Sequence, residues 1–347
     1  MKDNKIYIKG ASQISIQKPL CEDWMCNPIE YNVPYARSID PDFKHYISVL
    51  ESRRMGKSMK RALATTFDVI DKTGIHDPDS IITGVGLGCI ENTKQLLETM
   101  LCEGEDWCKP TQFMQSTYNT ISSLISIKLK NHGYNVTYSH KGVSFDTALL
   151  DAYIQMRKGA VKSALVGGYD EMTPSYFSLL QRIGYAGNKN QYVYGESAIS
   201  VLLNTELNNS LCEICDIRLL YKPTPNTIKE TYHNMFESAG ITDVDVDAIM
   251  MGINGNPQND LYYEMLISNL SHTIQTFKYK HIFGESYTAS GFAVYACAHC
   301  LHAGYIPTFM NHGSVYIECE KPRYILIVNQ CDNKAVSFIL LGSICGR

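Results

Sequence analysis

The sequence predicts an α/β fold in which one plan occurs twice. Short apolar runs rich in glycine or β-branched residues alternate with stretches of helical period along the whole chain. The same order of runs appears in both halves, and the polar stretch Asn204-Thr-Glu-Leu-Asn-Asn-Ser210 falls between them. We expect two βαβαβαββ halves, residues 1–207 and 208–347, joined by a short link and packed as one unit.

In the first half, strands are expected at Ser80 to Leu87, Asn135 to Ser139, Val161 to Gly168 and Ile199 to Leu203. Helices are expected at Met55 to Asp71, Met114 to Lys130 and Val143 to Lys158. The last places Leu149, Leu150, Tyr153 and Ile154 at helical spacing, toward the core. The second half offers strands at Cys212 to Tyr221, Ala248 to Met251, Tyr279 to Phe283, Tyr324 to Asn329 and Val336 to Leu341. Between them, Thr227 to Ala239, Asp260 to Thr273 and Thr288 to His302 read as helices. Pro19 to Tyr46 and Glu91 to Pro110 fit neither period and read as surface excursions.

With 347 residues, 45% of them hydrophobic, the chain can bury a large core. A net charge of -4 gives no basic field, which argues against nucleic acid or an anionic membrane surface as partner. No apolar run is long enough to span a bilayer, and Met1-Lys-Asp-Asn-Lys-Ile lacks the apolar core of a signal peptide, so a cytoplasmic protein is expected. In that setting the twelve cysteines read as reduced thiols, mostly core residues. Cys212-Glu-Ile-Cys215 and Cys297-Ala-His-Cys300 have chelating spacing, but the first pair points to opposite faces of a strand and the second lies in an apolar helix. No metal site is therefore expected. The glycine-rich Thr83-Gly-Val-Gly-Leu-Gly88 has no lysine after it and reads as a strand end, not a phosphate loop.

Several motifs recur in a telling order. Arg54-Met-Gly-Lys-Ser-Met-Lys60 precedes a helix, Tyr138-Ser-His-Lys-Gly-Val-Ser144 joins a strand to a helix, and Lys158-Gly159 ends that helix. Gly167-Gly-Tyr-Asp-Glu171 and Gly195-Glu-Ser-Ala198 follow, then Lys280-His-Ile-Phe-Gly-Glu-Ser-Tyr-Thr-Ala-Ser-Gly291. Together they resemble the beta-ketoacyl-acyl-carrier-protein synthases of the thiolase-like superfamily, with Asn135 to Glu171 keeping register without a gap. The resemblance implies a five-layered α-β-α-β-α architecture and an acyltransferase ancestry.

It also implies a catalytic triad, and each position departs from it. Gly142 stands where the nucleophilic cysteine belongs, at a helix N-terminus whose dipole lowers a thiol pKa. Glycine there reads as an easy solution for a strained turn, and it has no atom to acylate. Gly252-Ile-Asn-Gly-Asn-Pro-Gln-Asn-Asp260 resembles the family's first histidine segment, so the equivalent residue is Gly252 or Asn254 depending on the gap. The second histidine aligns with Glu285, whose carboxylate would repel the oxyanion that a histidine stabilises. Glu285 is expected to pair with Lys280 and hold the framework. Asn329 survives, but Gln-Cys-Asp-Asn333 follows it in place of the family's gating glycines.

The resemblance therefore implies a non-condensing protein similar in role to a chain-length factor, in fatty-acid, polyketide or aryl-polyene type assembly. Its expected partner is an active synthase in a heterodimer, or a second copy of itself. No bound cofactor is expected; the phosphopantetheine arm of an acyl carrier protein is the candidate ligand. Arg53, Arg54, Lys57, Lys60 and Arg61 form a basic cluster able to meet the acidic carrier. The alternative is an atypical acyltransferase or 3-oxoacyl-carrier-protein synthase that uses other residues, with His281, Ser144 and His140 as candidate substitutes.

Overall fold

Side-chain caps start some of the helices and left-handed glycines close others, while the strands follow from their β-branched runs. The computed structural model describes residues 4–186, 192–255, 260–269, 274–312 and 319–344. The first half contains β1 (Ile6–Ile14), α1 (Val49–Ser52), α2 (Lys57–Thr73), β2 (Ser80–Gly84), α3 (Ile90–Cys102), α4 (Pro110–Ser116), α5 (Thr120–Leu129), β3 (Tyr134–Tyr138), α6 (Ser144–Arg157), β4 (Ser163–Asp170), α7 (Pro174–Arg182) and β5 (Ser197–Asn204). The second contains β6 (Cys212–Tyr221), α8 (Pro225–Ala239), β7 (Ala248–Met251), α9 (Leu261–Asn269), β8 (Gln275–Lys278), α10 (Lys280–Phe283), α11 (Ser290–Ala303), β9 (Tyr324–Cys331) and β10 (Ala335–Gly342). Helix α8 shows the usual asymmetry: Thr224 caps its start, Pro225 occupies the first turn, and Gly240 closes it in the left-handed conformation.

The described strands form one sheet in the order β3-β2-β4-β5-β1-β6-β10-β9-β7-β8. Counted outward from the β1–β6 junction, each half runs through its first, fifth, fourth, second and third strand. The fifth strand is antiparallel to both neighbours, and the outer three are mutually parallel. Sequence identity between the halves is too weak to show this duplication; the sheet order shows it.

Five layers result. Helices α2 and α5 cover the first half from outside, and α8 and α9 cover the second. Between the two halves lie α6 and α11, which touch each other and strands of both. Helix α11 is accordingly apolar all round, with Phe292, Val294, Tyr295 and Cys297 all buried.

Several expectations need correction. Tyr279 to Phe283 is not a strand: the β7–β8 ladder ends where Met251 pairs with Lys278, and the chain then winds into α10 before turning at Gly284 (φ 91°). The run Tyr-Lys-His-Ile-Phe buries Tyr279, Lys280, Ile282 and Phe283 as a single helical turn. Glu91 to Pro110 is mostly α3, which seats Asn92 and Leu96 inward. The helix expected over Met114 to Lys130 breaks between α4 and α5, and α9 stops at Asn269, with 270–273 outside the described residues. Ile154 faces outward while Leu149 and Tyr153 are buried. Strand β1 and helix α7 form where the sequence pattern gives no element.

One buried carboxyl ties the central layer together. Asp146, in the first turn of α6, accepts hydrogen bonds from Ser290 Oγ of α11 (2.7 Å), Ser337 Oγ of β10 (2.6 Å) and Asn329 Nδ2 of β9 (3.2 Å). Burial pushes its pKa above the ordinary carboxyl value, and the three donors pull it back. Replacement by leucine strands all three donors, so Asp146→Leu is expected to cost about 3 kcal/mol or more in urea unfolding, and Asp146→Asn distinctly less.

Candidate functional site

The elbow between β3 and α6 is a single 3-10 turn, Lys141–Val143. Its left-handed residue is Lys141 (φ 50°), not Gly142, so the turn does not require glycine at 142 for its backbone shape. A neighbour favours glycine instead. A Cβ at 142 would lie 3.0 Å from Cys331 Sγ and 3.2 Å from Cys331 Cβ. The Gly142 N–H donates to that sulfur at 3.3 Å, while its carbonyl accepts from Asn329 Nδ2 at 2.9 Å. Burial, then the Asp332 carboxylate, pushes the Cys331 pKa up to about 11, against the pull of the Gly142 amide and Lys280. At neutral pH the group is a thiol, not an activated thiolate.

Gly142, Asn254, Lys280 and Glu285 meet at one cavity, lined also by Tyr185 and Tyr287. It measures about 40 Å³, room for little more than a single water. Lys280 Nζ donates to Glu285 Oε2 at 2.8 Å, and both side chains are largely shielded from solvent. The Glu285 backbone is pinned as well, donating to Val193 and accepting from Gly195. Asn254 N donates to Asp260 Oδ1 at 3.4 Å, and burial raises Asp260 to about 6.

Of the two candidates for the first histidine position, Asn254 lines this cavity and Gly252 lies behind it. At the end of β7, Gly252 faces Asn329 Oδ1 and the hydroxyls of Tyr263 and Tyr279, each within 2.9 Å of where a Cβ would sit. Two buried tyrosines thus occupy the volume a side chain at 252 would need. Residues 256–259 of this segment lie outside the described residues.

The candidate substitutes do not reach the cavity. Ser144 Oγ is buried, donating to the Lys141 carbonyl and accepting from the His140 amide. His140 packs its ring nitrogen on Thr147 Oγ1 at 3.1 Å, and His281 Nε2 meets the Phe309 carbonyl at 3.0 Å. These three groups serve local structure.

A family model described as "Beta-ketoacyl synthase, N-terminal domain" matches residues 24–213, which is 190 of the 347 residues. The chain belongs to the beta-ketoacyl synthase family. Solved structures agree on the fold. "The ishigamide ketosynthase/chain length factor" superposes with a TM-score of 0.84 at 18% identity, covering 98% of this chain and 99% of that one. The ketosynthase ApeO with its chain length factor ApeC from Xenorhabdus doucetiae gives 0.80 at 12%, covering 98% of each. The AntDE:AntF complex, a type II PKS acyl-carrier protein with its ketosynthase bound to the hexaketide, gives 0.79 at 12%, covering 99% and 100%. Comparison with curated protein sequences gives no match.

Within this beta-ketoacyl synthase scaffold, the basic cluster is divided. Arg53, Arg54 and Lys57 line an open groove of about 810 Å³, together with Gln95, Gln112 and Gln115. Lys60 lies on α2 outside it. Arg61 is not available for docking: it is 2% exposed and bonded to Asp40 and Glu196, because α2 turns that face into the core. The glycine-rich loop is also committed internally. Its Gly86, Leu87 and Gly88 amides converge on the Asp170 carboxylate, an anion nest filled by the chain itself. Cys212, Cys297 and Cys300 are fully buried, which raises all three thiol pKa values; among the described residues no three metal-ligating side chains come together.

Burial holds His281 neutral, with a pKa near 4. Its folded value lies below the ordinary 6.5, so the unfolded chain takes the proton first. The stability it contributes is present above pH 6.5 and lost as pH falls through 4. Thermal midpoints measured between pH 7 and 4 should fall less steeply for His281→Gln than for the wild type.

Proposed function

We propose that this chain is a non-condensing member of its family, a chain-length-factor-like partner of an active synthase in fatty-acid, polyketide or aryl-polyene type assembly. The observation that carries this reading is the state of position 142: no nucleophile, and a neighbouring thiol in the space where one would project. The Lys280–Glu285 pair supports it, since a paired carboxylate in place of the second histidine offers a developing enolate no stabilisation. So does the cavity, too small for an acyl chain.

Structures whose names pair a ketosynthase with a chain length factor share this fold over nearly their whole length. For this chain the same pairing is the inference, with the halves divided between residues 207 and 208 and the protein acting in the cytoplasm. The exposed Arg53, Arg54 and Lys57 are where an acidic carrier protein, and the phosphodiester of its phosphopantetheine arm, would be met.

Two measurements test this reading. Co-expression with any synthase encoded beside it should yield a 1:1 complex by native mass spectrometry; a chain that never associates with such a synthase overturns the proposal. Reversing the charges with Arg53→Glu and Arg54→Glu should weaken carrier-protein binding to the complex by about tenfold at low salt, with the difference shrinking as salt rises.

A further inference from the structure

The turn that joins β9 to β10 is shaped to aim one side chain at the elbow. Asp332 and Asn333 are both left-handed (φ 52° and 51°), and Lys334 N donates to the Cys331 carbonyl at 2.9 Å, which makes a type I′ turn. Asp and Asn are the side chains that best tolerate that conformation after glycine. The turn is held from several directions. Tyr185 OH donates to Asp332 Oδ1 at 3.0 Å, Lys141 Nζ lies 3.4 Å from Asp332 Oδ2, and Tyr262 OH donates to the Asn333 carbonyl at 3.0 Å. Asn333 N also donates to Gln330 Oε1 at 3.1 Å. Cys331, at the base of this turn, has its sulfur on the Gly142 amide.

We propose that Cys331 is a built-in plug. Its sulfur fills the space a side chain at 142 would enter and takes the elbow amide, so that Gly142 and Cys331 form a coupled pair. A cysteine restored at 142 alone would therefore not become an accessible nucleophile. This deepens the proposed function and rests on its assignment of 142 as the vacated nucleophile position. A second consequence is geometric. In Gly142→Cys the two Cβ atoms would stand 3.2 Å apart, just under the range of about 3.5–4.5 Å found in disulfides, so a small relaxation permits a cross-link.

The test uses the full chain as wild type, Gly142→Cys, Cys331→Ala and the double variant. Iodoacetamide labelling of the residue-142 thiol at neutral pH, followed by peptide mass, should be about tenfold or more slower in Gly142→Cys than in Gly142→Cys/Cys331→Ala, where a helix-terminal thiol is freed. Oxidised glutathione should close a 142–331 disulfide in the single variant, releasing two molecules of reduced glutathione. Equal labelling rates with no cross-link overturn the plug. Where a cysteine variant fails to fold, thermal midpoints decide: the loss in Gly142→Ala should be relieved by Cys331→Gly, and additive losses overturn the coupling. A wild-type chain that condenses acyl groups would overturn the proposed function, whereas the plug stands or falls on the labelling, cross-linking and thermal results for positions 142 and 331.

Discussion

The Asp146 carboxyl, buried where the two halves meet, accepts from a helix of the second half and from two of its strands. An unpartnered charge in that position would cost several kcal/mol, so the central layer assembles only with all three donors in place. Asn329 carries the constraint onward: the same amide that reaches Asp146 also holds the Gly142 carbonyl. Position 142 is thereby fixed against β9, and two residues further along β9 comes Cys331. The scaffold that would orient a nucleophile is intact, and what it now orients is a glycine under a thiol.

Around that point the site is filled by the chain's own groups. Tyr263 and Tyr279 close the volume beside Gly252, Lys280 and Glu285 neutralise each other, and the Gly86–Gly88 amides hold Asp170. The Lys280–Glu285 pair and the Asp170 nest satisfy buried groups from within the chain, whereas the Tyr279 hydroxyl finds no hydrogen-bond partner among the described residues. Buried polar groups without partners cost stability, so this hydroxyl is a local weak point of the packing.

Much of this is legible in the sequence because it depends on neighbours along the chain. The alternation of strands and helices and the turn at 138–144 follow from local pattern, and the reading of 142 as a nucleophile position follows from the resemblance to the beta-ketoacyl synthases. A lysine and a glutamate five residues apart are expected to pair, and the structure sets them 2.8 Å apart. What stays hidden depends on distance. Cys331 meets Gly142 across 189 residues, and no local signal in Gln-Cys-Asp-Asn333 points to that contact. Arg61 looks like one more exposed cation in a basic run, until α2 turns it toward Asp40 and Glu196. Tyr279 to Phe283 reads as a strand because a run of five residues has no period long enough to tell a strand from one helical turn.

Loss of the covalent acyl step is the central claim, and intact mass measures it most directly. The purified chain, alone and with the proposed synthase partner, would be incubated with an acyl-carrier protein bearing a thioester. This chain should keep its unmodified mass while any acyl group appears on the synthase. A stoichiometric acyl adduct on this chain, at Cys331 or elsewhere, would contradict it.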